Sequence, residues 1–191
     1  MAWKESHKQE SRQRILLAAA TLFTRKGFNN VGIDEVMESA GMTRGAFYAH
    51  FNSKIELYEQ AIMTAGITAA QRFNNNAVDH MGLIENYLSE EQLNSTDICC
   101  PMACLISDVA HDDDRVKDIY TRLYKGFTKH LAKFDNSDCD GADNNEDKIL
   151  MQSVVMIGGL ALARSLTDKA LAKKILRLSS KAAQQLHTEK V

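Results

Sequence analysis

The chain has 191 residues, 45% apolar and 25% charged, a balance that supports a sizeable core and excludes a disordered or fibrous chain. One proline, Pro101, and ten glycines argue against turn-rich β-sandwiches and for long helices. The formal net charge of -2 is unevenly spread: residues 1–54 carry 8 basic against 5 acidic side chains, net +3, and the rest 15 against 20, net -5, a basic head suited to a polyanion.

In chain order, the opening stretch MAWKESHKQESRQR is polar without an apolar core, so it does not read as a secretory signal and a cytoplasmic location is expected. Ile15, Ala19, Leu22 and Phe23 form one apolar helical stripe; Ser6 or Ser11 caps this helix, and Gly27 ends it in the left-handed conformation. A short second helix is predicted over 34–40, with Ile33, Val36 and Met37 facing inward. Gly41 then breaks the chain, and Thr43 caps a third helix running to about Phe51. Ser53 caps a long fourth helix whose stripe is Ile55, Tyr58, Ile62, Ala65, Ala69 and Phe73. Helices near 81–93, 102–111 and 113–134 follow, then a polar loop over 135–147 and two closing helices near 146–165 and 168–187. The fold class is therefore all-α: an N-terminal three-helix helix-turn-helix head over 1–54 and a helical regulatory and dimerisation body over 55–191. The aliphatic run 154–163 falls well short of the roughly 20 residues that a membrane span requires, so no membrane association is expected.

The segment 33–51 carries the chemistry. Two short helices joined by a glycine turn, apolar only on their inner faces, describe a helix-turn-helix. Thr43, Arg44, Gly45, Tyr48 and His50 remain for the outer face. Arg44 offers a bidentate fork to guanine or a single contact to phosphate, and Gly45 lets backbone approach a duplex closely. Thr43, Tyr48 and His50 donate to phosphate oxygens, which fixes register rather than sequence, and Lys54 stands in the first turn of the fourth helix.

The run RILLAAATLFTRKGFNNVGIDEVMESAGMTRGAFYAHFNSKIELYEQAI resembles the N-terminal DNA-binding domain of the TetR family of transcriptional regulators, through LFxxxGF, IDEV, AGMTRGAFYAHF and the following NSK-IEL. The resemblance implies a helical body that binds inducers, with Arg44 and Gly45 as the base-reading pair and Thr43, Tyr48, His50 and Lys54 as phosphate contacts. It covers about 50 residues. Two positions depart from it: Gly32 stands where many members carry a Ser or Thr cap, and Ala49 replaces a frequent aromatic or His.

A lone recognition helix reads too few base pairs, so a homodimer on a palindromic double-stranded operator is expected. Leu150, Val154, Ile157 and Ala161, with Gly158 and Gly159 permitting close approach, line one closing helix; Leu171, Ile175, Leu178, Ala182 and Leu186 line the other. Periodicity leaves open whether these stripes meet a second subunit or the chain's own core. Cys100 and Cys104 fall at i, i+4 spacing, and Pro101 fits the first turn of a helix starting there, so Cys99 or Cys100 lies near a helix end that favours thiolate. Cys99, Cys100 and Cys104 are thus candidates for sensing oxidants or electrophiles, and Cys-Pro also resembles a TetR subgroup that includes electrophile-responsive repressors. The alternative is that they are small buried core residues.

Pocket candidates for a small-molecule inducer are Phe73, Tyr87, Met102, Tyr120, Tyr124 and Phe127. No cofactor, metal site or catalytic residue is expected; Asn136, Asp138, Asp140, Gly141 and Asp147 match a calcium loop only by coincidence. The competing classes are a thiol-dependent enzyme using Cys99 or Cys100 and a constitutive DNA-binding module without ligand. The sequence holds no GxGxxG, P-loop, GxSxG or HExxH to favour an enzyme.

Overall fold

A computed structural model of the chain describes residues 2–74, 79–95, 98–134 and 142–188. The described residues form helices and no strand: α1 (Ala2–Lys26), α2 (Ile33–Ser39), α3 (Arg44–Phe47), α4 (Lys54–Asn74), α5 (His80–Tyr87), α6 (Glu90–Asn94), α7 (Pro101–Ala110), α8 (Asp114–Phe134), α9 (Ala142–Arg164) and α10 (Lys169–Thr188). Their packing divides the chain into one unit of residues 1–69 with 97–123 and a second of 70–96 with 124–191.

In the first unit, α1 turns its stripe of Ile15, Ala19 and Phe23 into a fully buried core with Val36, Phe47, Leu57 and Tyr58. Phe23 and Phe28 both meet the Tyr58 ring edge-on, at 5.0 and 4.9 Å, a geometry that pairs a positive ring edge with a negative face. Gly27 ends α1 at φ 75°, with its N–H donating to the Phe23 carbonyl at 2.9 Å. The start of α1 differs from expectation: the helix runs through Ser6 and Ser11, so neither caps it. Residues 2–14 contain no glycine or proline to stop a helix.

After α2, Gly41 at φ 65° reverses the chain, and the Arg14 guanidinium donates to the Ala40 carbonyl at 2.6 Å, satisfying an acceptor at the helix end. Thr43 is the N-cap of α3 as predicted, but its side chain makes no capping bond. The third helix is also shorter than predicted. Beyond Phe47 the N–H groups of Ala49 and His50 bond back three residues, to Ala46 and Phe47, and this tighter winding ends the regular helix before Phe51. Ser53 caps α4 through the Glu56 N–H at 3.2 Å, while the Glu56 carboxylate accepts from both the backbone and the side-chain nitrogen of Asn52 at 2.9 Å.

In the second unit, the helix predicted over 81–93 divides at Leu88. Ser89 is extended and caps α6 by accepting from the Gln92 N–H at 3.3 Å, a break that its hydroxyl makes inexpensive. The α9 helix begins at Ala142, earlier than predicted; residues 135–141, which include Cys139 and most of the calcium-like pattern, lie outside the described residues. Gly159 lets α9 and α10 approach, since a Cβ there would fall within 3 Å of the Ser179 side chain. Between α5, α9 and α10, the buried Gln152 donates to the Ala183 carbonyl at 3.0 Å, which leaves its oxygen to accept from His80 Nε2 at 3.1 Å and fixes that ring's proton on Nε2.

Gly27 generates the first prediction. Replacing it with alanine places a β-carbon in the left-handed region and against the Asp108 side chain, so unfolding in denaturant should show a loss of about 1–2 kcal/mol. A variant with unchanged midpoint would contradict this assignment.

Candidate nucleic-acid interface

Packing selects which side chains α2 and α3 present outward. Val36, Met37, Phe47 and Phe51 are all 1% exposed or less. Because these apolar groups anchor the turn, Thr43, Arg44, Gly45 and Tyr48 are left on the open side, with Tyr48 61% exposed. The Tyr48 ring meets Phe47 edge-on at 5.1 Å, so its hydroxyl projects from a braced position. Among the described residues nothing lies within 4 Å of a β-carbon built on Gly45 except the Thr43 hydroxyl at 3.9 Å, which leaves backbone open to close approach.

His50 and Lys54 are half-buried at the edge of this face. Burial lowers the His50 pKa below its ordinary value, and the neighbouring cations Lys8 and Arg12 lower it further. Its Nδ1 is buried and has no hydrogen-bond partner among the described residues. Arg12 also lies over the Phe51 ring at 5.2 Å and bonds Gln60. Lys54 places its ammonium 4.4 Å from the Phe28 ring centroid; burial lowers its pKa, and the nearby Asp112 opposes that shift. Lys8 and Arg12 thus stand beside His50, one of the six predicted contacts. Sequence reasoning missed these two cations, although their i, i+4 spacing already placed them on one face of α1.

Sequence reasoning also missed the two ion pairs of α2. Glu35 pairs with Lys26, and Asp34 accepts from Arg44 Nη1 at 2.7 Å. Just past the end of α7, in the same unit, the Asp112 carboxylate accepts from the Asn29 amide at 3.4 Å.

Cys100 and Cys104, expected to share a helix face at i, i+4 spacing, are not the pair that bonds. Cys100 is the extended N-cap of α7, its carbonyl accepting from the Cys104 N–H at 3.1 Å, and Cys99 and Cys104 are joined as a disulfide, with Cα atoms 6.8 Å apart. Cys99 Sγ lies 3.9 Å from the Thr24 carbonyl of α1. Of the pocket candidates, Met102 and Tyr120 belong to the first unit, where the Tyr120 hydroxyl donates to the Met102 carbonyl at 2.7 Å. Phe73, Tyr87 and Phe127 cluster in the second, with ring centroids 4.9 and 5.6 Å apart, and Tyr124 shares a 2.7 Å hydrogen bond with Ser153. A separate groove of about 500 Å³ in the second unit is lined by Leu88, Glu90, Lys173, Lys174, Leu176 and Arg177, none of them a predicted pocket residue. Among the described residues no cluster of three or more His, Cys, Asp or Glu side chains could hold a metal ion.

Two short helices around a glycine turn, braced by α1 and α4 and exposing Arg, Thr, Tyr and Gly, define a helix-turn-helix protein. Comparison with known proteins narrows the class. Residues 15–61 match the family described as bacterial regulatory proteins, tetR family. The chain is 34% identical over 89 residues to the HTH-type transcriptional regulator YfiR of Bacillus subtilis, covering 45% of this chain and 43% of that protein. It is 42% identical over 52 residues to the HTH-type transcriptional regulator AcrR of Shigella flexneri, covering 27% and 24%. The chain thus spans less than half the length of these curated relatives. Among solved structures, a TetR-family regulator from Rhodococcus sp. superposes with a TM-score of 0.73 at 15% identity, over 94% of this chain and 99% of the other. The reduced form of E. coli NemR superposes with a TM-score of 0.73 at 15% identity, over 92% and 96%. Residues 15–61 thus match the tetR family's model, and the chain as a whole shares the fold of these solved TetR-family structures.

The His50 environment predicts a measurable titration. In the free protein His50 should titrate below 6.5, and replacing Lys8 and Arg12 with glutamine should raise its midpoint only partway, because burial is the largest cause. Protonation of a group so held disfavours the folded form, so this residue's effect on stability should emerge as pH falls through 6.5. Histidine NMR titration checks both signs, and an upward shift of the midpoint in the parent protein would contradict them.

Proposed function

We propose that this chain is a sequence-specific transcriptional regulator that binds a palindromic site in double-stranded DNA as a homodimer, and that it is a repressor released by a small-molecule, electrophile or oxidant inducer. One observation carries the DNA-binding reading: Thr43, Arg44, Gly45 and Tyr48 are exposed together while Phe47, between them in sequence, is fully buried. That pattern gives a polar, cationic face on a rigid apolar base, which suits phosphate positioning and base reading. The relatives' names as HTH-type transcriptional regulators agree with it. Among the described residues no helix is long and apolar enough to cross a membrane.

The homodimer reading rests on apolar side chains left outward on the last two helices. Val154 is 65% exposed, and Met151, Gly158 and Leu162 share its exposed side of α9; Leu171 and Leu178 are exposed on α10, with Ile175 half-buried between them. Ile157, from the predicted stripe, turns inward instead and is 4% exposed, while Ala161 is half-buried. The difference arises because α9 packs against both α5 and α10, so its apolar surface is wider than a single stripe.

The oxidant reading draws on the Cys99–Cys104 bond and on Cys99 lying against α1. A hydroperoxide would take two electrons and two protons from the two thiols: thiolate attacks the peroxide oxygen, the O–O bond breaks, and the second thiol displaces water from the sulfenic acid. An inducer of this kind lowers DNA affinity only by favouring the state that binds DNA less tightly. Burial of Cys99 and Cys100 argues against a thiol-dependent enzyme, whose nucleophile must meet its substrate, and leaves the half-buried Cys104 as the thiol that a hydroperoxide would reach.

Two experiments test these readings. On a fragment selected from bacterial genomic DNA by retention on the protein, Arg44→Glu should reduce affinity at least about a hundredfold and Tyr48→Phe several-fold; full retention by both would end the DNA-binding reading. Paired substitution Val154→Asp and Leu178→Asp should give a monomer in sedimentation and lose the same fragment at concentrations where the parent dimer holds it. Hydroperoxide should release the parent but not a Cys99→Ser, Cys104→Ser variant. Equal retention of both under hydroperoxide would remove the oxidant reading, and indifference to small aromatic compounds as well would point to the constitutive module.

A further inference from the structure

Arg44 has two chemistries open to it, a fork to a guanine edge or a single contact to phosphate, and its neighbour on α2 selects between them. The first turn of α2 carries two carboxylates, Asp34 and Glu35, behind a Gly32 N-cap that makes no side-chain cap. Glu35 is taken by Lys26 from the end of α1. Asp34 faces the start of α3 and accepts from Arg44 Nη1 at 2.7 Å. Both side chains of this second pair are more than half exposed, at 61% for Arg44 and 66% for Asp34, so the pair contributes little to folding. Its effect falls on where the guanidinium points.

A guanidinium held by one N–H still presents its other donors in a planar fork that matches guanine O6 and N7. Fixing it beforehand reduces the rotamer freedom lost on binding a base. The Asp34 charge also acts against the competing use of Arg44, because a phosphate approaching the same guanidinium would meet a carboxylate less than 3 Å from one of its nitrogens.

We propose that Asp34 is a specificity-determining positioning residue: paired with Arg44, it directs that side chain to a guanine edge in the major groove and away from the phosphate backbone. This rests on the DNA-binding reading and goes beyond it, by assigning the base and the residue that enforces it.

The test uses the full-length protein, a fragment selected from genomic DNA, and unrelated duplex of equal length, across a salt series. Guanines in each half-site are replaced singly by 7-deazaguanine, which removes the N7 acceptor. The parent should lose about tenfold or more at one position per half-site. Asp34→Asn should erase that penalty and reduce the ratio of selected to unrelated affinity about tenfold, while unrelated duplex binds as well or better with a steeper salt dependence. Asp34→Glu should restore the ratio, which a purely structural role would not require. Two results for Asp34→Asn would overturn the proposal: an unchanged 7-deazaguanine penalty, or an equal gain on both duplexes, which would make Asp34 only a mask. If the parent retains no fragment at all, the DNA-binding reading fails and the proposal with it.

Discussion

The arrangement depends on the burial of Phe47 and Val36 at the junction of α2 and α3. Both side chains are fully removed from solvent, and a rotation of α3 that exposed them would cost roughly 1.5–3 kcal/mol for each. A helix of four residues has too few internal hydrogen bonds to hold itself, so this contact, with Phe51 and the glycine turn, determines where α3 points. The outward direction of Thr43, Arg44 and Tyr48 follows from what their neighbours bury. Arg14, bonded to the Ala40 carbonyl, and the Ser53 cap on α4 fix the two sides of the same junction.

Much of this was legible in the sequence because the signals were local. Gly27 and Gly41 both adopt positive φ where helices had to stop, Thr43 and Ser53 take their cap positions, and the apolar stripe of α4 is buried apart from Ile55, which is half-buried. The base-reading and phosphate candidates emerged as what remained after inner-face residues were assigned. What stayed hidden depends on contacts between distant segments. The pairing of Asp34 with Arg44 needs the crossing of α2 and α3, and the union of Cys99 with Cys104 joins the residue before the N-cap of α7 to one inside that helix. The division of the predicted 81–93 helix at Leu88 turned on a single serine hydroxyl, a local signal but a weak one. The direction of Ile157 was beyond periodicity altogether, because a helix with apolar residues on several sides has no single preferred face.

The second unit shows how one pair of helices serves two surfaces. Gly159 and Ala183 bring α9 and α10 together on one side, while Val154 and Leu178 remain on the other. Gln152 is enclosed between them with both amide ends engaged, so the pair is fixed in register by a polar contact as well as by packing. An exposed apolar face built on so well defined a pair is suited to meet a copy of itself, because a two-fold interface uses the same patch twice.

The most direct test of the central claim is a footprint of the protein on a selected genomic fragment, combining hydroxyl-radical cleavage with methylation interference at guanine N7. The account predicts two protected half-sites on one face of the duplex, related by a two-fold axis and separated by a whole number of helical turns of about 10–10.5 base pairs, each with a guanine whose methylation blocks binding. Protection without paired half-sites and without guanine interference would contradict it.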